Sequence, residues 1–88
     1  MNNSNIKKII YFYVDHCLGC RITTPRIQML ETKVKVVKID GNSDNDIPKK
    51  YNIDFFPAII ALDKNNNIVK KEFGDKKIGT FISNFLYG

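Results

Sequence analysis

Two cysteines, Cys17 and Cys20, are separated by two residues in the run Asp15-His16-Cys17-Leu18-Gly19-Cys20. The apolar run before them and the roughly helical spacing of Ile22, Ile27 and Leu30 after them place the pair at a predicted strand-to-helix junction, with the helix opening near Cys17. A helix start offers unpaired backbone N–H groups and the positive end of the dipole to the first sulfur, which favours its thiolate. Free cysteine titrates at about 8.5 and comparable sites at roughly 3.5–7.5, so Cys17 is expected to be substantially ionised at neutral pH and to act as the attacking nucleophile. Cys20, one turn further into the helix and shielded, is expected to attack the mixed disulfide, release the reduced substrate and leave a Cys17–Cys20 disulfide.

Two other uses of the pair compete with this one: structural thiols, or half of a metal site. A closed zinc site needs four ligands, and one CxxC with the single histidine, His16, adjacent to Cys17, supplies too few. No metal and no cofactor are therefore expected within one chain. A dimer sharing a metal or cluster across two CxxC pairs is the remaining metal reading.

The rest of the composition narrows the class. A chain of 88 residues makes one domain, 1–88, with 43% hydrophobic and 26% charged residues, as in an ordinary folded globular protein. A formal charge of +5 invites a nucleic-acid role, but the lysine pairs Lys7/Lys8, Lys49/Lys50, Lys70/Lys71 and Lys76/Lys77 are scattered and interrupted by acids. No nucleic-acid partner is expected. The apolar run from Ile9 to Val14 is too short for a secretory signal, and no run is long enough to span a bilayer. The expectation is a cytoplasmic monomer that does not engage membranes. In that compartment a lone cysteine pair is more often catalytic or metal-binding than a structural staple.

The elements that must position the pair follow from periodicity. Residues 1–5 are polar and aperiodic, which suggests a frayed start. Ile6 to Val14 reads as a central strand buried on both faces. The helix after Cys17 runs to Glu31 or Thr32 and contains Pro25, which costs a backbone hydrogen bond. Val34 to Asp40 reads as a strand parallel to the first, ended by Gly41. A short helix is predicted between Asp44 or Asp46 and Ile53. Ala58 to Leu62 and Ile68 to Phe73 form an antiparallel pair around the turn-forming Asp63-Lys64-Asn65-Asn66-Asn67. Ile78, Phe81, Ile82, Phe85 and Leu86 then trace the stripe of an amphipathic helix. The order β-α-β-α-β-β-α predicts an α/β domain with a mixed four-stranded sheet and helices on both faces.

These residues resemble the thioredoxin superfamily. The similarity lies in Tyr11 to Pro25, with its apolar strand, CxxC and proline five residues past Cys20; in Phe55-Phe56-Pro57-Ala58, which looks like the family's cis-proline loop; and in Gly74 after the last strand. It covers Ile6 to Leu86, without the extra N-terminal strand and helix of longer thioredoxins. The resemblance implies a thioredoxin-like fold, a cis bond before Pro57 that sets its loop against Cys17, and a substrate chain pairing in extended form with the backbone of Phe56. His16, Phe56, Pro57 and Gly74 are then expected to rim a shallow apolar groove.

Departures from the family pattern bear on mechanism. Thioredoxins usually carry a buried aspartate where this chain has Tyr11, so a proton leaving Cys20 must use water or another group. The family's tryptophan before the first cysteine is here His16, whose imidazolium would stabilise a neighbouring thiolate. Leu18-Gly19 matches none of the familiar dipeptides between the cysteines, and the Gly-Gly that helps glutaredoxins hold glutathione is replaced by Phe73-Gly74-Asp75. The expected activity is thiol–disulfide exchange with protein disulfides, recycled by a reductase. A protein-interaction or redox-sensing module without turnover, and a glutathione-dependent enzyme, are the alternatives.

Overall fold

A computed structural model describes residues 5–88; the expected frayed start at 1–5 lies outside it except for Asn5. The elements are β1 (Lys8–Tyr13), α1 (Leu18–Leu30), β2 (Lys35–Asp40), α2 (Asp46–Lys50), β3 (Ala58–Leu62), β4 (Ile68–Phe73) and α3 (Asp75–Tyr87). The strands form one sheet in the order β2-β1-β3-β4. β1 runs parallel to β2, as two strands joined through a helix must in one sheet, and antiparallel to β3, while β3 and β4 form the antiparallel hairpin. β1 is thus interior, and the pairing continues one bond before it, where the N–H of Lys7 donates to the Leu62 carbonyl over 2.8 Å.

Alternation along the strands builds two cores. Ile9, Tyr11, Ile59 and Ala61 face Ile27 and Leu30 of α1 and Ile78, Phe81 and Ile82 of α3. Ile10, Phe12, Ala58, Ile60 and Leu62 face the opposite way, with Ile53 and the flanking Ile47, Tyr51, Phe56 and Phe73. Each large side chain so buried contributes about 1.5–3 kcal/mol relative to exposure. Helices therefore cover both faces, and Ile9 to Phe12 of β1 and all of β3 are buried because neither face of those stretches meets water.

The stripe on α1 differs from the sequence expectation. Ile22 is 40% exposed, and the buried residues are Cys20, Thr23, Ile27 and Leu30. At 3.6 residues per turn the five-residue step from Ile22 to Ile27 lands about 140° away from the stripe, whereas steps of three and four stay on it. The core face of α1 therefore includes a cysteine and a threonine that hydrophobicity alone does not flag. β1 is also shorter than Ile6 to Val14, since its ladder with β2 runs from Lys8 to Tyr13.

Candidate active site

β1 ends at Tyr13, and the chain turns through Val14-Asp15-His16 into α1. The N–H of Asp15 donates to Asn42 Oδ1 over 2.8 Å, which ties this turn to the loop after β2. His16 is exposed and holds a left-handed φ of 57°, a conformation uncommon for a residue with a side chain. The turn sets Cys17 at the N-cap of α1, with extended backbone angles.

Cys17 and Cys20 are bridged as a disulfide with Cα atoms 5.2 Å apart. Cys17 Sγ accepts from the backbone N–H of Cys20 over 3.2 Å, the bond a capping oxygen would ordinarily make. No acidic side chain occupies the first turn of α1, so nothing on that helix offsets its positive end. Cys17 is half-buried while Cys20 is only 4% exposed. The two sulfurs are thus unequal in access.

The other wall of the site comes from the loop between α2 and β3. The Phe56–Pro57 bond is cis, and the Phe56 carbonyl oxygen lies 3.9 Å from Cys17 Sγ, across 39 residues of sequence. Pro57 is buried, and its carbonyl accepts from the N–H of Gly74 over 2.8 Å, so the loop is tied to the junction of β4 and α3. Gly74 has φ 89° and ψ 151°, a backbone state open only to a residue without Cβ. Phe55, 57% exposed, lies over it: a Cβ on Gly74 would stand 3.9 Å from the Phe55 ring. With Leu18, 71% exposed, Phe55 gives the rim of the disulfide an apolar character.

Of the residues expected from sequence, Phe56 sets its carbonyl near Cys17, Pro57 and Gly74 are joined by their backbone hydrogen bond, and His16 adjoins Cys17 through the chain alone. Other neighbours were not anticipated. A Cβ on Gly19 would stand 3.0 Å from Pro57 Cδ and 3.5 Å from Asp75 Oδ1, so Gly19 lies close against Pro57 and a carboxylate from α3 sits beside the first turn of α1. The ring of Phe56 rests on Gly41, where a Cβ would be 2.7 Å from Phe56 Cζ. Behind the disulfide, the buried Tyr11 hydroxyl reaches the Cys20 carbonyl at 3.3 Å. Gly41 and Gly74 both follow predicted strands, and that position was the one available signal for close packing there.

A cleft lined by Lys70, Glu72, Lys76 and Phe81 lies between β4 and α3, away from the cysteines. Among the described residues no group of three or more His, Cys, Asp or Glu side chains is placed to hold a metal.

Comparison with known proteins decides the family: the thioredoxin profile matches residues 1–85. The chain belongs to the thioredoxin family. It is 34% identical to a thioredoxin of Rickettsia bellii over 94% of this chain and 77% of that protein. Thioredoxin C-2 of Corynebacterium nephridii is 31% identical over 84% of this chain and 74% of its own. The mitochondrial thioredoxin of Mus musculus is longer, and the match spans 46% of it. Among solved structures, the reduced Schistosoma mansoni thioredoxin pre-protein superposes with a TM-score of 0.76 at 28% identity, covering 93% of this chain and 81% of that one. Like other thioredoxins, this chain is a thiol–disulfide oxidoreductase, and Cys17 and Cys20 fit the family's CxxC pair.

Proposed function

We propose that Cys17 is the nucleophile and Cys20 the resolving thiol in the reduction of disulfides on protein substrates. The observation that carries this division is the unequal placement of the sulfurs: Cys17 half-buried at a helix start under the Cys20 N–H, Cys20 4% exposed. In the reduced protein the Cys17 thiolate attacks one sulfur of a substrate disulfide, the other leaves with its electron pair, and a mixed disulfide forms. Cys20 then displaces the substrate from Cys17, closing the internal bridge.

The substrate segment lies extended along Phe56, whose carbonyl faces the sulfur at 3.9 Å, against a rim formed by His16, Pro57 and Gly74 with the exposed Leu18 and Phe55. A reductase returns the bridge to two thiols. The setting is the cytoplasm, where a dithiol is the working form; among the described residues no helix is long and apolar enough to cross a membrane. The protein acts as a monomer. The edge strands β2 and β4 carry Lys35, Lys38, Lys70 and Lys71, charges that oppose edge-to-edge pairing of copies.

Insulin reduction by dithiothreitol tests the assignment. The wild-type protein should accelerate it and Cys17→Ser should not; equal rates for the two would leave the fold as an interaction module. Cys20→Ala should accumulate mixed disulfides with protein partners. Recovery of glutathione adducts alone would replace the protein-substrate reading.

A further inference from the structure

The centre of β1 sends a polar atom to the backbone of the cysteine-bearing turn of α1. Tyr11 is 1% exposed, its ring stacked on Tyr13 at 5.6 Å between centroids. Its hydroxyl lies 3.3 Å from the Cys20 carbonyl and 3.1 Å from Thr24 Oγ1. Thr24 Oγ1 itself donates to the same carbonyl over 2.8 Å. One arrangement of protons satisfies all three contacts: Thr24 gives its proton to the Cys20 carbonyl, and Tyr11 shares its own between that carbonyl and Thr24 Oγ1. Immediately beyond, Pro25 has no N–H to offer the Arg21 carbonyl, so α1 loses a rung next to the cysteine-bearing turn.

We infer that Tyr11 is a positioning residue for Cys20, tethering the peptide of the resolving cysteine to the central strand during the second half of the exchange. The inference rests on the assignment of Cys17 as nucleophile and Cys20 as resolving thiol. In the disulfide the covalent bridge holds Cys20 in place. In the mixed disulfide that bridge is open, and the turn carrying Cys20, weakened by Pro25, is held to the sheet through the Tyr11 and Thr24 hydroxyls.

The resolving step then balances without a protein base. The Cys20 sulfur attacks Cys17 Sγ and the Cys17–substrate S–S bond breaks. The bonding pair goes to the substrate sulfur, which is reduced as Cys20 is oxidised, and the Cys20 proton passes to the departing sulfur or the water around it. Tyr11 takes no part in the transfer: burial among apolar groups pushes its phenol above the ordinary 10.0, keeping it a neutral donor at working pH.

An aromatic disulfide, 5,5′-dithiobis(2-nitrobenzoate), reads the two steps separately. Cys17 releases the first coloured thiolate and Cys20 the second. Tyr11→Phe should leave the first release unchanged and slow the second about three- to tenfold, the scale of one net hydrogen bond. Thr24→Val, at an exposed position, should slow the second release in the same way, and Thr24→Ser should restore it. A second release at the wild-type rate in both Tyr11→Phe and Thr24→Val, or equal slowing of both releases, would overturn the inference even if thermal stability fell. A first release that survives Cys17→Ser would instead refute the nucleophile assignment beneath it.

Discussion

The backbone N–H of Cys20 donates to Cys17 Sγ over 3.2 Å, so the first sulfur occupies the place of a helix-capping oxygen. A cap sits where unpaired N–H groups converge, and a sulfur there gains most when it carries negative charge. The same geometry that starts α1 therefore suits the nucleophile proposed at Cys17.

Alkylation of the reduced protein by iodoacetamide should report this directly. Cys17 is expected to react with a pH midpoint below the about 8.5 of a free thiol, while Cys20 stays protected. The opposing charge beside this turn is Asp75, whose carboxylate lies near Gly19. Asp75→Asn should shift the midpoint further down, by less than about one pH unit for a surface neighbour. An upward shift would show that Asp75 does not act on the sulfur through its charge.

Gly41 carries a packing demand rather than a turn demand. A Cβ there would meet Phe56 Cζ at 2.7 Å, Phe56 Cε1 at 2.8 Å and Val14 Cγ1 at 2.9 Å. Gly41→Ala should cost about 1–3 kcal/mol in urea denaturation, and lower the rate of insulin reduction because Phe56 presents its carbonyl to Cys17. Adding Phe56→Leu should recover part of the stability by freeing the space. A fully stable Gly41→Ala would mean that the ring moves aside at no cost.

Thr23 is fully buried on α1, and its Oγ1 has no hydrogen-bond partner among the described residues. A desolvated hydroxyl without a partner is unfavourable, and valine has nearly the same shape and helix propensity. Thr23→Val should stabilise the protein by about 1 kcal/mol, raising Tm by roughly 4–8 °C for a domain of this size. A lower Tm would reveal a partner for that hydroxyl.

Acidification should loosen the β3–β4 turn. The Asp63 carboxyl is held below its ordinary 3.8 chiefly by the N–H of Asn67, with the N–H of Asn65 adding to it. A carboxyl more acidic in the folded state stabilises fully above its unfolded value, and that stabilisation drains away as pH falls through the folded one. Amide exchange at Asn65 and Asn67 should therefore gain a protecting contribution above about pH 4 that Asp63→Asn lacks. Equal pH dependence in the two proteins would remove Asp63 as the cause.

Much of the fold was legible in the chain itself, because strand and helix impose different periods on where apolar residues fall. β3 and β4 match their predicted spans, and Ile78, Phe81 and Ile82 line the buried stripe of α3. The cysteine pair at a strand-to-helix junction was equally plain, since its meaning depends on local spacing and a local dipole. What periodicity could not carry is which distant side chains meet. Ile22 looked like core and faces water, while Thr23 looked polar and is buried, because a single turn of α1 decides the matter. The contacts of Tyr11 with the Cys20 carbonyl, of Phe56 with Gly41 and of Gly19 with Pro57 and Asp75 join segments that share no pattern. They exist only once two cores have docked three helices onto one sheet. The sequence by itself determined the order of elements and the chemistry of the pair; the packing of those elements alone decided which residues surround it.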